Sequence, residues 1–322
     1  MSPNLHVCLQ HHHELLHEIK DIQTFTKMLE RSSKTESSVA ISKNTKMKFI
    51  DLFCGIGSFH YSFKKLGWEC IMSCDIDKTV KETYLANYGL TPLDDITKIN
   101  PADIPEYDIL CAGFPCQPFS QCGLHKGFSD ERGTLFFNIM KFVNHHKPKF
   151  IILENVQGLL KHDSGKTFAK IQEDIRAAGY AITYKVLLCS DYGLPQMRKR
   201  LFIVGVRADI AESKDINQLL NLDEYKQEST MTELLGKNFA KKTAYTIRCG
   251  GKSSPINDKH NWDGYFVDGS EYRLTIEDCL KLQGFTNFQL CGNVKNKWKQ
   301  LGNTIPTVFT DIIGKSLNKF IQ

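Results

Sequence analysis

The 322-residue sequence has no apolar run approaching the ~20 residues that a membrane-spanning helix needs. Its N-terminus is polar and histidine-rich, without the apolar core of a secretory signal, so the expected setting is intracellular. It has no C-x₂-C pair: the eleven cysteines include spacings such as Cys70 to Cys74, Cys111 to Cys116 and Cys116 to Cys122, which match no zinc signature. Free buried thiols in a reducing compartment account for most of them, Cys74 and Cys111 for example lying in the apolar runs 71–74 and 109–111. Internal repeats are absent. Charge of either sign is also modest: 41 Lys and Arg against 36 Asp and Glu leave +5, which permits a polyanionic partner without demanding one.

With 41% hydrophobic residues, the chain can build one substantial α/β core and a smaller lobe. Residues 1–46 differ from the rest. Helical spacing of Leu15, Ile19, Ile22, Phe25 and Leu29 predicts a short amphipathic helix over 14–30, and the Ser/Lys/Thr-rich stretch 31–46 a flexible linker. From Lys48 onward, strands predicted at 49–53, 70–74, 108–112, 150–153, 184–188 and 201–206 alternate with helical segments. These helices end near Gly67, Tyr88, Val143 and Gly179. Such alternation predicts a mainly parallel sheet with helices on both faces, in a domain at 47–206. Residues 207–271 are polar, lysine-rich and weakly periodic, and read as a small irregular lobe. Helical patterning at 275–282 and after Asn303 predicts that 272–322 returns to the first domain.

Four motifs carry chemistry. In Asp51-Leu-Phe-Cys-Gly-Ile-Gly57, a strand enters a glycine-rich turn that lets backbone approach a ligand, and Asp75 ends the next strand, where an acid can hold ribose hydroxyls. The same pair of glycines also suits a plain turn, and the third glycine of the dinucleotide pattern is missing, Ser58-Phe59-His60 following instead. The second motif, Asp108-Ile-Leu-Cys-Ala-Gly-Phe-Pro-Cys-Gln-Pro-Phe-Ser120, puts Cys116 between two prolines beyond a strand end. This is a stiff loop suited to a nucleophile, where an arbitrary cysteine would be merely structural. In the third, Phe150-Ile-Ile-Leu-Glu-Asn-Val156, Glu154 stands at a strand's carboxyl end, either as part of a turn or to hydrogen-bond a heterocycle. The fourth, Gln196-Met-Arg-Lys-Arg200, precedes an apolar strand. Alternation puts Gln196, Arg198 and Arg200 on one face, pointing into the site or onto phosphate.

In this order and spacing the motifs resemble the DNA cytosine-5 methyltransferase family of bacterial restriction-modification type. Arg273-Leu-Thr, Leu282-Gln-Gly-Phe285 and Leu301-Gly-Asn-Thr-Ile-Pro306 resemble its last blocks, so the resemblance covers roughly 47–206 and 272–322. It implies a Rossmann-like S-adenosyl-L-methionine-dependent methyltransferase fold, with 47–206 as catalytic and cofactor-binding domain and 207–271 as target-recognition region. Two positions depart from the family pattern: Cys54 stands where a small residue is usual, and Asp75 where Glu is usual.

The resemblance further implies roles for individual residues. Cys116 would add to C6 of a cytosine, Glu154 would hold N3 and the exocyclic amine, and Arg200 would bind the O2 edge, with Arg198 and Gln196 supporting the loop and Gln196 also meeting substrate DNA. A water-derived base would remove the C5 proton before Cys116 is eliminated. For S-adenosyl-L-methionine, Phe53 would stack on adenine, Gly55 and Gly57 would admit the methionine portion, Asp75 would bind ribose and Ile76 would pack on adenine. Asp95 would accept from the adenine amine with Ile96 alongside, and Pro115, Leu135, Asn303 and Thr304 would close the pocket. Ser120 would contact substrate phosphate, and Arg248 and Lys252, around Gly250-Gly251, would reach base edges. The partner implied is double-stranded DNA with its target base flipped out, and a companion restriction endonuclease by function. The expected location is the bacterial cytoplasm, at the nucleoid, with no membrane.

Three other readings compete. A branch with the same catalytic motifs methylates tRNA, but its Cys-Phe-Thr tripeptide is missing between Arg207 and Tyr272. A binding-only relative would have lost catalytic residues, yet Cys116, Glu154, Arg198 and Arg200 are all present. His13-Glu-Leu-Leu-His17 matches the zinc-protease pattern H-E-x-x-H, but it lies in a short tail with no third ligand evident, so no catalytic metal is expected.

Overall fold

A computed structural model describes residues 46–115, 134–250 and 252–322. The expected N-terminal helix, the linker through residue 45, the His13–His17 pattern, Cys116 and Ser120 lie outside the described residues.

Six strands, β1 (Lys48–Leu52), β2 (Glu69–Cys74), β3 (Ile109–Gly113), β4 (Phe150–Asn155), β5 (Tyr180–Leu188) and β6 (Lys199–Arg207), form one sheet in the order β2-β1-β3-β4-β6-β5. The pairs β1–β2, β1–β3 and β3–β4 are parallel, and β6 is antiparallel to both β4 and β5. Parallel neighbours need a crossover. Here α1 (Ser58–Phe63), α2 (Lys78–Tyr88), α3 (Thr134–His146) and α4 (Lys166–Ala177) lie between successive strands from β1 to β5. No α-helix separates β5 from β6, because an antiparallel strand needs only a return loop. The expected mainly parallel sheet is therefore present, with one reversed strand inside it.

Side-chain alternation sorts the strands onto two cores. Phe49, Cys111, Phe150, Ile152 and Phe202 face α1 and the C-terminal helix α9 (Thr307–Ile321), meeting Phe59, Phe63, Phe309, Ile313 and Leu317. Ile50, Leu52, Leu110, Ile151 and Ile203 face α3 and α4, meeting Phe136, Ile139, Val143, Phe168 and Ile171. Both faces are covered, as a parallel sheet requires.

The ends of the elements follow local chemistry. The first strand stops at Leu52, one residue before the expected end, because Phe53 takes φ +56°, outside any strand conformation. Asp77 caps α2 by accepting from the amides of Thr79 and Val80, and Gly89 ends that helix at φ +70°. After Arg207 the packing divides the chain differently from the composition. Leu219, Leu220 and Leu222 pack into the sheet's own core. A third core joins Met231, Trp262, Tyr265 and Leu274 to Leu282, Phe285, Trp298 and Leu301. That core unites α6 (Met231–Leu235), the hairpin β7 (Gly264–Val267) and β8 (Ser270–Arg273), α7 (Ile276–Leu282) and α8 (Val294–Asn303). One short helix, α5 (Ala208–Ala211), precedes them. The lobe core is thus drawn chiefly from residues 231 to 301, with Ile56 of the β1 turn joining it, and α9 packs on the sheet.

Candidate active site

The chain runs outward from β1 to β2, then crosses back to β3 on the other side of β1. Ligands of open α/β sheets bind at the carboxyl edge beside such a reversal. A cleft of about 540 Å³ opens there. Its walls come from the end of β1 (Phe53, Gly55), the end of β2 (Asp75, Ile76), the end of β3 (Pro115), the end of β4 (Glu154), the start of β6 (Arg200) and the α8–α9 turn (Asn303, Thr304).

The β1 turn is held from below. Asp75 accepts the Gly55 amide on Oδ2 at 3.0 Å and the Asp77 amide on Oδ1 at 2.9 Å. Burial pushes the Asp75 carboxyl up, with those two amides opposing it. The two glycines of the turn differ. At Gly55 (φ +52°) an added Cβ would meet nothing within 4 Å, so the backbone is open to a ligand. At Gly57 (φ +85°) it would meet the rings of Tyr88 and Tyr84 at 2.5 and 2.8 Å. Gly57 therefore serves the packing of α1 against α2 and does not line the cleft. Beneath the turn Asp51 is buried, its Oδ2 without a hydrogen-bond partner. Burial first, then Asp75, raises its carboxyl well above the ordinary range.

Glu154 and Arg200 meet because β6 is reversed. The start of β6 lies beside the end of β4, in the register Glu154↔Phe202, and Arg200 Nε reaches Glu154 Oε1 at 2.8 Å. Glu154 leans over Gly113, where a Cβ would stand 3.3 Å from Oε2. Burial raises the Glu154 carboxyl, and Arg200 and Arg198 oppose it. Asn155, next on β4, donates from Nδ2 to the Phe114 carbonyl at 2.9 Å.

Gln196, Arg198 and Arg200 share one face, as the alternation predicts, but only Arg200 lines the cleft. Gln196 is fully buried, donating to the Leu282 carbonyl and accepting the Ile247 amide. That corrects its assignment to substrate DNA, since no atom of it is free to reach a duplex. Arg198 is also buried, donating to the carbonyls of Ile247, Gly302 and Thr304 at 3.0, 3.0 and 2.8 Å. Burial pulls its guanidinium down to about 9, which keeps it charged at neutral pH. It ties the lobe segment at Ile247 to the turn that lines the cleft, without lining the cleft itself.

Other expected residues fall outside the described walls. Asp95 caps its own turn by accepting the Thr97 amide, Ile96 is in the sheet core, and Leu135 packs against that core. Arg248 is exposed. Lys252 is also exposed, but its ammonium lies 3.8 Å from the Trp298 ring centroid. Several residues were not anticipated: Ile56, Asp77, Val80, Asn155, Lys299 and Gln300 all line the cleft. Asp77 had a signal, the Asp-x-Thr start of a helix, whereas Lys299 had none.

The walls suit an adenosyl cofactor. Phe53 and the 76% exposed Ile76 offer apolar surface for a purine, Asp75 offers a carboxylate for ribose, and Gly55 leaves room for close backbone approach. Among the described residues no cluster of His, Cys, Asp and Glu could hold a metal, and no helix is long and apolar enough to cross a membrane.

A family model for C-5 cytosine-specific DNA methylase matches residues 47–266. The chain is 36% identical over 306 residues to the type II methyltransferase M.DsaV of Dactylococcopsis salina, covering 86% of this chain and 87% of that one. It is 37% identical over 284 residues to the type II methyltransferase M.NgoBI of Neisseria gonorrhoeae, covering 80% and 89%. The solved structure of the Entamoeba histolytica methyltransferase EhMeth shares the fold, with a TM-score of 0.65 at 17% identity over 86% of this chain and 99% of that one. The reversed strand, the Glu154–Arg200 pair and the glycine turn thus sit in a chain that belongs to the C-5 cytosine-specific DNA methylase family and is a DNA cytosine-5 methyltransferase.

Proposed function

We propose that the protein methylates C5 of a flipped-out cytosine within a short specific duplex sequence, through a covalent bond between Cys116 and C6. The observation that carries this reading is the pairing of buried Glu154 with Arg200, 2.8 Å apart at the edge of a cleft suited to an adenosyl group. Bound S-adenosyl-L-methionine supplies an electrophilic methyl group.

Cytosine C5 is a poor nucleophile until C6 is attacked. Cys116 adds to C6 as its thiolate, and Glu154, whose carboxyl is raised by burial, protonates N3 as the charge develops and accepts from the exocyclic amine. Arg200 donates to O2 while orienting Glu154. The C5–C6 double bond becomes single, an enamine forms across C4–C5, and C5 becomes nucleophilic. After methylation N3 returns its proton to Glu154, a water-derived base takes the C5 proton, the C5–C6 double bond re-forms, and Cys116 leaves as thiolate. Arg198 positions the surrounding turns. Ser120 contacts phosphate, and Arg248 reads a base edge. The catalytic role belongs to 47–206, with Asn303 and Thr304 completing the cofactor pocket, and target recognition to 207–271.

Flipping the base costs a few kcal/mol, which lysine and arginine contacts to phosphate offset, so binding weakens with salt. The type II names of the relatives support a role in protecting host DNA from a companion endonuclease in a bacterial cytoplasm. Bisulfite sequencing of a host genome expressing the protein, beside a Cys116→Ser control, tests the reading. We expect 5-methylcytosine at one short sequence with the unaltered protein and none with the variant. Methylation that survives Cys116→Ser would overturn the mechanism.

A further inference from the structure

Lys299 and Asp77 face each other at the mouth of the cleft, Nζ to Oδ2 at 2.6 Å, and both line it. Each is fixed from behind. Asp77 uses Oδ1 to cap α2, accepting from the Thr79 amide and hydroxyl at 2.9 and 2.8 Å, which leaves Oδ2 for the lysine. Its amide is bound by Asp75. Lys299 stands on α8 beside the buried Gln300, which accepts from Thr83 Oγ1 at 2.8 Å and donates to the Cys291 carbonyl at 3.0 Å. Those bonds keep α8 against α2. With side-chain exposures of 59% and 22%, the pair sits at the rim rather than in the depths. Besides Arg200, Lys299 is the one cation among the described lining residues.

An exposed ion pair adds little to folding, so its location matters more than its stability. Here it joins the end of β2, which carries Asp75, to the helix leading into Asn303 and Thr304. The opening between these two walls is closed by a single charge-assisted hydrogen bond. Burial works against ionisation of Asp77, yet the bonds from Lys299 and Thr79 outweigh it and hold that carboxyl down at about 2.

We propose that the Lys299–Asp77 ion pair is a latch across the ribose end of the cofactor cleft, a positioning device that slows ligand release. This rests on the reading of Asp75 as the ribose ligand. Broken, the latch leaves every group that meets the cytosine in place, so the loss falls on KM and dissociation rate rather than on kcat.

S-adenosylhomocysteine, the demethylated form of the cofactor, serves as probe in calorimetry and stopped-flow release with the full-length protein. Lys299→Met is expected to weaken its binding about twofold to fivefold, the range for a rim ion pair, chiefly through faster release. Asp77→Asn, which keeps the Oδ1 cap and removes the charge, should do the same. The double variant should bind no worse than either single one, and Lys299→Arg should restore most of the loss. Added salt should weaken the unaltered protein more than Lys299→Met. Singles indistinguishable from the unaltered protein, or losses that add in the double variant, would overturn the latch. If the unaltered protein failed to bind the probe, the cofactor reading would fall, and the latch with it.

Discussion

Glu154 and Arg200 stand on neighbouring strands that run in opposite directions, and their side chains meet at 2.8 Å. In a wholly parallel sheet, a residue entering the next strand would lie at the opposite edge from Glu154. The reversal of β6 brings a strand beginning and a strand end to the same edge. It also supplies the guanidinium that keeps a buried carboxyl oriented.

Removing that carboxyl is expected to separate chemistry from folding. Glu154→Gln should lower kcat by about 10²–10⁴-fold, the range for loss of a general acid. Because the folded carboxyl is raised above its unfolded value of 4.5, the folded chain binds this proton more tightly. Its contribution to stability is full below the unfolded value and is lost as pH rises through the folded one. Melting temperatures recorded across that range should therefore show Glu154→Gln gaining on the unaltered protein as pH rises. A gap that stayed constant with pH would count against the raised carboxyl.

Arg198 should behave as a positioning residue. Truncation to Ala would strip the donors from three carbonyls, at about 1–3 kcal/mol for each one left buried and unsatisfied. We expect a loss of about 3 kcal/mol or more in urea unfolding. Arg200→Ala, at the cleft wall, should instead lose activity with a smaller change in stability. Equal effects of the two on stability would contradict this division.

The two glycines of the β1 turn should part in the same way. Gly57→Ala forces a Cβ against two tyrosine rings, at about 1–3 kcal/mol, with left-handed strain of roughly 1–2 kcal/mol besides. Its mark is a lower melting temperature. Gly55→Ala carries only the strain, and its methyl enters open cleft, so calorimetry with S-adenosylhomocysteine should register the larger change.

Arg248 and Lys252 were assigned alike, yet Lys252 lies over Trp298. Methylation of a randomised duplex library should show Arg248→Ala relaxing preference at one base pair, by about 1–3 kcal/mol of discrimination. Lys252→Ala should weaken methylation at all sequences more evenly. Unchanged preference in Arg248→Ala would remove it from recognition.

By itself the sequence determined the strand–helix alternation, the site-bearing turns and the chemistry they imply. These are local properties: hydrophobic period, turn residues and strand ends leave a trace within a few neighbours. The composition break after Arg207 was legible too, but it does not mark the lobe's core: Leu219, Leu220 and Leu222 pack into the core of the sheet. The tertiary structure decided the rest. The antiparallel placement of β6 brings Arg200 to Glu154, although 46 positions separate them (200 − 154). Burial separates Gln196 and Arg198 from the cleft that Arg200 lines, although the alternation is the same for all three. Lys299 meets Asp77 across 222 positions. No local pattern encodes such pairings, because they depend on which surfaces the whole chain brings together.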